Sequence, residues 1–206
     1  MLAIKDNNLY SACINQIVVF DLITDSHIKN IKIEGSTFLN DITADDNYLY
    51  VSDSEQNKIY KVSLKNEEYD IFINTFEDSP NGLLWEAETN LLYVGFRFGK
   101  SIIASYDSTG REVFARFEEG YYVDGIAKDK NGNFYIGCWI TKGVFSLGKD
   151  CKDKPKLVSG EHLGPADIYI VPETQILAIP NFRDNSVDFL KLNPNEKEFE
   201  NFKSLK

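Results

Sequence analysis

The sequence predicts an all-β chain of four-stranded antiparallel units, a β-propeller with five blade repeats, on three observations. Ile, Val, Tyr and Phe dominate the apolar positions while Gly, Asn, Asp and Pro sit between them, which is strand and turn chemistry. Amphipathic helix spacing is nowhere sustained for three turns. One pattern recurs along all 206 residues, with Leu2, Ile42, Leu83, Ile126 and Ile168 as equivalent first-strand residues, spaced by 40, 41, 43 and 42.

The units run approximately over residues 1–37, 38–78, 79–121, 122–163 and 164–206, and together are expected to form one domain. In units two to five a short apolar strand leads to a polar turn: Asp45-Asp46-Asn47, Ala87-Glu88-Thr89-Asn90, Lys130-Asn131-Gly132 and Pro172-Glu173-Thr174. The second strands follow as "LYVS", "LYVG", "FYIG" and "ILAIP", and the third as "IYKV", "IIASYD", "GVFSL" and "VDFLKL". A weaker fourth segment closes units one to four: "IKNIKI", "EYDIFI", "REVFARF" and "KPKLVS". Four strands in about 42 residues is the period of one propeller blade. An open sandwich gives no reason for a near-constant period with matched turns.

Composition fits a folded chain, 43% hydrophobic and 13% aromatic. The formal charge of −10 is spread along the sequence, so the surface repels phosphate backbones and anionic lipid. Neither nucleic acid nor membrane is an expected partner. Apolar runs such as "IVVF" and "YLYV" are far shorter than a bilayer span, and "MLAIKDNNLY" lacks the basic and apolar regions of a signal peptide. As given, the chain reads as soluble and unexported. Cys13, Cys138 and Cys151 show no zinc-binding spacing and read as buried or idle thiols.

In a propeller blade the strands alternate direction, so the start of strand one and the end of strand two share one end of the blade. Just before strand one come Asn40-Asp41, Asn81-Gly82, Asp124-Gly125 and Ala166-Asp167; just after strand two come Cys13, Asp53, Phe96, Cys138 and Asn181. Asn40, Asn81, Asp124 and Asp167 are thus expected to line an inner ring, with Asp53 and Asn181 behind them. Such oxygens suit a hard divalent cation, and they equally suit turns, where Asn, Asp and Gly bond their own backbone. Phe96, Arg97 and Phe98, then Trp139, then Phe182 and Arg183, follow second strands and offer the aromatic and cationic groups of a small-molecule pocket. His27 and His162 have no Ser or Cys that the sequence places as a nucleophile beside them.

The segments "FLNDITADDNYLYVSD", "SPNGLLWEAETNLLYVG" and "VDGIAKDKNGNFYIGCW", in that order, resemble the six-bladed propellers of the senescence-marker-protein and gluconolactonase family. The resemblance covers most of the chain and implies a divalent cation, Ca²⁺ foremost and Mg²⁺, Mn²⁺ or Zn²⁺ in its place, on Asn81 and Asp124. It makes Asn40 an auxiliary substrate-binding residue. The implied activity is metal-dependent hydrolysis of a sugar lactone or related small ester, with Asp124 or Asp167 as the catalytic carboxylate. Arg97, Trp139 and Arg183 stand as the groups that would touch that substrate. Against the family pattern, the chain starts at what resembles blade two and has no counterpart of the family's first-blade Glu ligand. Five units cut from a six-bladed ring would leave two unpaired edges, and relatives of this kind are often exported. The alternative function is a propeller that binds a ligand or a protein without turnover. A third reading makes the rim turn chemistry alone.

Overall fold

Strands with consecutive apolar residues, such as Leu49-Tyr50-Val51, need both faces covered, and the chain covers them by stacking sheets. The structure, a computed structural model, describes residues 1–118 and 120–192 and the backbone of residues 200–205. They form five four-stranded antiparallel sheets, each following chain order. The first holds β1 (Leu2–Lys5), β2 (Asn8–Cys13), β3 (Gln16–Asp21) and β4 (Ser26–Lys32). The second holds β5 (Leu39–Ala44), β6 (Tyr48–Asp53), β7 (Lys58–Ser63) and β8 (Tyr69–Asn74). The third holds β9 (Ser79–Glu86), β10 (Leu91–Phe98), β11 (Ser101–Tyr106) and β12 (Glu112–Phe117). The fourth holds β13 (Val123–Lys128), β14 (Phe134–Cys138), β15 (Gly143–Leu147) and β16 (Lys156–Ser159). The fifth holds β17 (Tyr169–Val171), β18 (Ile176–Asn181), β19 (Ser186–Lys191) and β20 (Glu200–Leu205).

The period read from sequence is therefore the period of the sheets, and most of the differences lie at strand ends. Asn40, Asn81 and Asp124, read as just before first strands, lie inside β5, β9 and β13. Cys13, Asp53, Phe96, Cys138 and Asn181, read as just after second strands, lie inside β2, β6, β10, β14 and β18. β17 begins one residue after Ile168, and the fifth sheet has a fourth strand where the sequence showed no apolar segment. The sheets number five, and the six-bladed type implied by the resemblance is not seen in them. Among the described residues no helix is long and apolar enough to cross a membrane.

The sheets divide between two compact units, Met1–Phe117 with the first three and Glu118–Lys206 with the last two. In the first unit, alternate residues of one strand feed different layers. Leu49 and Val51 of β6 join Ile17, Val19, Ile33 and Ile42 between the first and second sheets. Tyr50 of the same strand joins Ile59, Leu92, Val94 and Ala104 between the second and third. Successive side chains of a strand point to opposite faces, so a middle strand buries both faces only when a sheet packs on each. In the second unit Ala127, Tyr135, Val144, Ile168, Leu177 and Ile179 fill the layer between its two sheets. Each fully buried Val, Leu or Ile among them stabilises the fold by about 1.5–3 kcal/mol.

The turn between second and third strands carries a left-handed residue in every sheet: Ile14, Asn57, Gly99, Lys142 and Asn185. Much of the acidic content serves the turn between first and second strands. Asp45 accepts bonds from the Asn47 and Tyr48 amides and from the Tyr50 hydroxyl. Asp129 repeats this with the Asn131 and Asn133 amides and the Tyr135 hydroxyl. The aspartates that made the sequence acidic are in large part turn acceptors.

Candidate functional site

The register confirms that the start of a first strand lies beside the end of a second. Leu39 pairs with Asp53, and Val123 with Cys138. Within each unit the residues singled out above then separate by the job their side chains do.

In Met1–Phe117, Asn40 donates from Nδ2 to Ser54 Oγ at 3.1 Å, and Ser54 Oγ donates to the Pro80 carbonyl at 2.6 Å. Ser52 Oγ donates to the Asn81 carbonyl at 2.8 Å. Asn40 and the Asn81 backbone thus belong to one hydrogen-bonded seam between the second and third sheets. Asp41, 2% exposed, is part of that seam. Its Oδ1 accepts the Ile42 amide at 2.7 Å and its Oδ2 the Leu83 amide of the next sheet at 2.6 Å. Asp53 is fully buried and accepts the amides of Thr37, Phe38, Glu55 and Gln56. It holds a loop together, so the expectation that it stands behind an ion-binding ring gives way to a structural role. Arg97 lies with its guanidinium carbon 4.8 Å from the Phe98 ring centroid and 5.5 Å from that of Phe38.

In Glu118–Lys206 the structure gathers Asp124, Trp139 and Arg183. The Trp139 indole N–H donates to Asp124 Oδ2 at 2.6 Å. Phe182 tilts against Trp139 at 5.5 Å between centroids, and the Arg183 guanidinium carbon lies 5.3 Å over the indole. Gly164, whose left-handed φ of +74 favours glycine, packs against this platform, where a Cβ would stand in ordinary contact with Arg183, Phe182 and Trp139 at 3.6–3.7 Å. Backbone bonds from Phe182 N to Gly164 O and from Arg183 N to Leu163 O tie the two loops together. Half-buried Asp167 completes the group. A Cβ on Gly125 would lie 2.7 Å from Asp167 Cα and 2.3 Å from Ile168 N, so the strand after Asp124 runs directly against Asp167. Burial pushes the Asp167 carboxyl up to about 6, and the Asp124 carboxylate acts in the same direction.

Asp167 stands one residue before its apolar anchor, as Asp41 does, whereas Asn40, Asn81 and Asp124 stand two before theirs. In a strand that single step turns a side chain to the other face. The four do not form one register of the repeat, and Asp167 holds the position from which Asp41 latches the next sheet.

A calcium ion takes about six to eight oxygens. In Glu118–Lys206 Asp124 already accepts the indole, and Asp167 ionises reluctantly. In Met1–Phe117 the carboxylates beside Asn40 and Asn81 already accept backbone amides. Among the described residues no group of three or more His, Cys, Asp or Glu is arranged to hold a metal. Neither unit by itself fits the cation implied by the resemblance, and no step below runs through one.

Two further features lay outside the sequence reading. An open groove of about 530 Å³ is lined by Glu34, Lys58, Tyr60, Tyr69 and Asp70, and none of the candidate residues borders it. His162, 6% exposed, is flanked by Ser159 and Asp188, although no motif announced a partner for it. Asp188 lies 26 residues downstream, and only the packing of β19 on the preceding loop brings it close.

No family model and no curated protein matches the chain. Solved structures do resemble it. A chain of a nidogen/laminin complex aligns with a TM-score of 0.83 at 15% identity, over 98% of this chain and 78% of that one. A catalytically inactive H270A virginiamycin B lyase from Staphylococcus aureus, solved with quinupristin, aligns with a TM-score of 0.76 at 14% identity, over 98% and 68%. A streptogramin B lyase aligns with a TM-score of 0.76 at 12% identity, over 98% and 67%. At these identities the likeness establishes the β-propeller fold and does not extend to the gluconolactonase-like resemblance.

Proposed function

We propose that the chain binds a lactone or related small ester on the Asp124–Trp139–Arg183 face of Glu118–Lys206 and hydrolyses it by carboxylate general-base chemistry. The observation that carries this reading is the pairing of Asp124, fixed by the Trp139 indole, with Asp167, whose carboxyl titrates near 6. A base whose pKa lies close to the working pH combines availability with proton affinity. Asp167 takes a proton from water as the water oxygen attacks the ester carbonyl, and returns it to the departing alkoxide. Asp124 raises the basicity of Asp167 through its charge. Trp139 and Phe182 present ring faces to the C–H surface of the substrate, and Arg183 supplies a cation for its oxygens. Likeness to propellers named as lyases adds that this fold accommodates chemistry on small molecules.

A second reading, a binding propeller without turnover, is favoured by one observation: Asp167 shares the repeat position of the latch residue Asp41. One experiment separates the two. Sugar lactones and short esters are titrated calorimetrically, and hydrolysis of any that bind is followed against pH. Hydrolysis should rise as pH passes about 6 and fall by about 10²-fold or more in Asp167→Asn, with binding retained. Binding without turnover at any pH selects the second reading, and neither binding nor turnover overturns both.

A further inference from the structure

We propose that Ser159, His162 and Asp188 form a second site, a serine nucleophile with its base and orienting carboxylate, directed at small carboxylic esters with an apolar acyl group. Ser159 Oγ lies 2.8 Å from His162 Nε2, and His162 Nδ1 lies 3.0 Å from Asp188 Oδ2. An ionised carboxylate only accepts, so Nδ1 carries the proton toward Asp188. Nε2 of the neutral ring is then the acceptor, and the Ser159 hydroxyl must donate to it. That is the tautomer and polarity a nucleophile–base pair requires.

The groups are held in place from outside. Asn181, 5% exposed, donates from Nδ2 to Asp188 Oδ2 at 2.7 Å and to Ser186 Oγ at 3.2 Å. The His162 amide bonds the Lys142 carbonyl and the His162 carbonyl accepts the Gly164 amide, which fixes the backbone on both sides. Between Ser159 and His162, Glu161 takes φ +66, a left-handed turn that L-residues with a side chain rarely adopt. This turn brings serine and histidine, three apart in sequence, face to face. A buried hydrogen-bond cluster serving stability alone would not need the nucleophile at its outer end. Ser159, however, is only half-buried, on β16 at the edge of the fourth sheet. Leu157, exposed and two residues earlier on β16, shares its face of the strand and lies 3.8 Å from the position a Cβ would take on neighbouring Gly160. It supplies apolar surface for an acyl chain.

The chemistry closes on itself. Ser159 Oγ forms a bond to the acyl carbon as its proton passes to His162 Nε2. The ester C–O bond breaks and the leaving alkoxide takes that proton. Water then cleaves the acyl-serine by the same route, regenerating the hydroxyl. Asp124 and Asp167 form no such covalent intermediate, so the test reads the adduct. The full chain is incubated with a fluorophosphonate and with p-nitrophenyl butyrate, and adducts are mapped by mass spectrometry. One adduct at Ser159 is expected, absent in Ser159→Ala and formed at least about 10²-fold more slowly in His162→Gln. Because His162 is buried, Asp188→Asn provides a second reading, with labelling slowed at an unchanged thermal midpoint. No adduct at Ser159 in the folded chain, or equal labelling rates in the wild type and the folded variants, would overturn the proposal.

Discussion

At the scale of single residues, much of the acidic character of this chain is spent on backbone amides. By sequence Asp53 is expected behind a ring of oxygens and Asp41 beside its member Asn40, and in the structure Asp41 closes a sheet-to-sheet seam and Asp53 a loop. Asp167 differs, because its carboxyl is raised to about 6 by burial and by Asp124. An acid raised above its unfolded value of about 3.9 binds more protons when folded than when unfolded. Its stabilising contribution is therefore fully present below about pH 4 and is lost as pH rises through about 6. Asp167→Asn should leave stability unchanged at acid pH and raise it at neutral pH by about 2–3 kcal/mol, measured by urea unfolding across that window. Equal effects at both ends would mean that Asp167 is not the buried acid described. Sequence could nominate these aspartates but could not sort them, since turn acceptor, latch and raised acid share one residue type and differ only in what surrounds the carboxyl.

Among the elements, the outcome turns on close approach. "VDGIAK" was legible as a first strand with a D-G start, and β13 is that strand. What the letters do not show is why the glycine is there: any side chain at position 125 would strike the backbone at Ile168 N, 2.3 Å away. Gly125→Ala should destabilise Glu118–Lys206 by about 1–3 kcal/mol, the usual cost of overpacking, and should part Asp124 from Asp167. The check is paired: a lowered urea midpoint together with a loss of the stability rise that Asp167→Asn otherwise gives at neutral pH. A neutral substitution would mean that the two strands have room to move apart. Of the three cysteines, two fit their reading as buried thiols. Cys138 and Cys151 are buried, and desolvation drives the Cys138 thiol well above its usual pKa.

For the whole molecule, charge is the property that sequence states most directly. A net −10 repels itself in the folded state, so monovalent salt should raise the thermal midpoint by screening. At matched ionic strength Ca²⁺ and Na⁺ should therefore give the same midpoint, with or without EDTA, since among the described residues no group of carboxylates is arranged to hold a divalent ion. An excess midpoint with Ca²⁺ that EDTA removes would show instead that a specific ion binds the folded state and adds to its stability.

Legible in the letters alone were the blade period, the first three strands of every blade, the fourth in blades one to four, and the turns between them, because these follow from local alternation and from residues that bond their own backbone. The letters also put Asp124 and Trp139 at one end of the fourth unit, which register within a blade predicts, and Arg183 at the equivalent place in the fifth. Only the tertiary structure decided that Asp41 latches Leu83, that burial lifts the Asp167 carboxyl, and that Ser159, His162 and Asp188 meet. Those facts depend on distances between residues up to 42 positions apart and on the water excluded around them, quantities that no local pattern encodes.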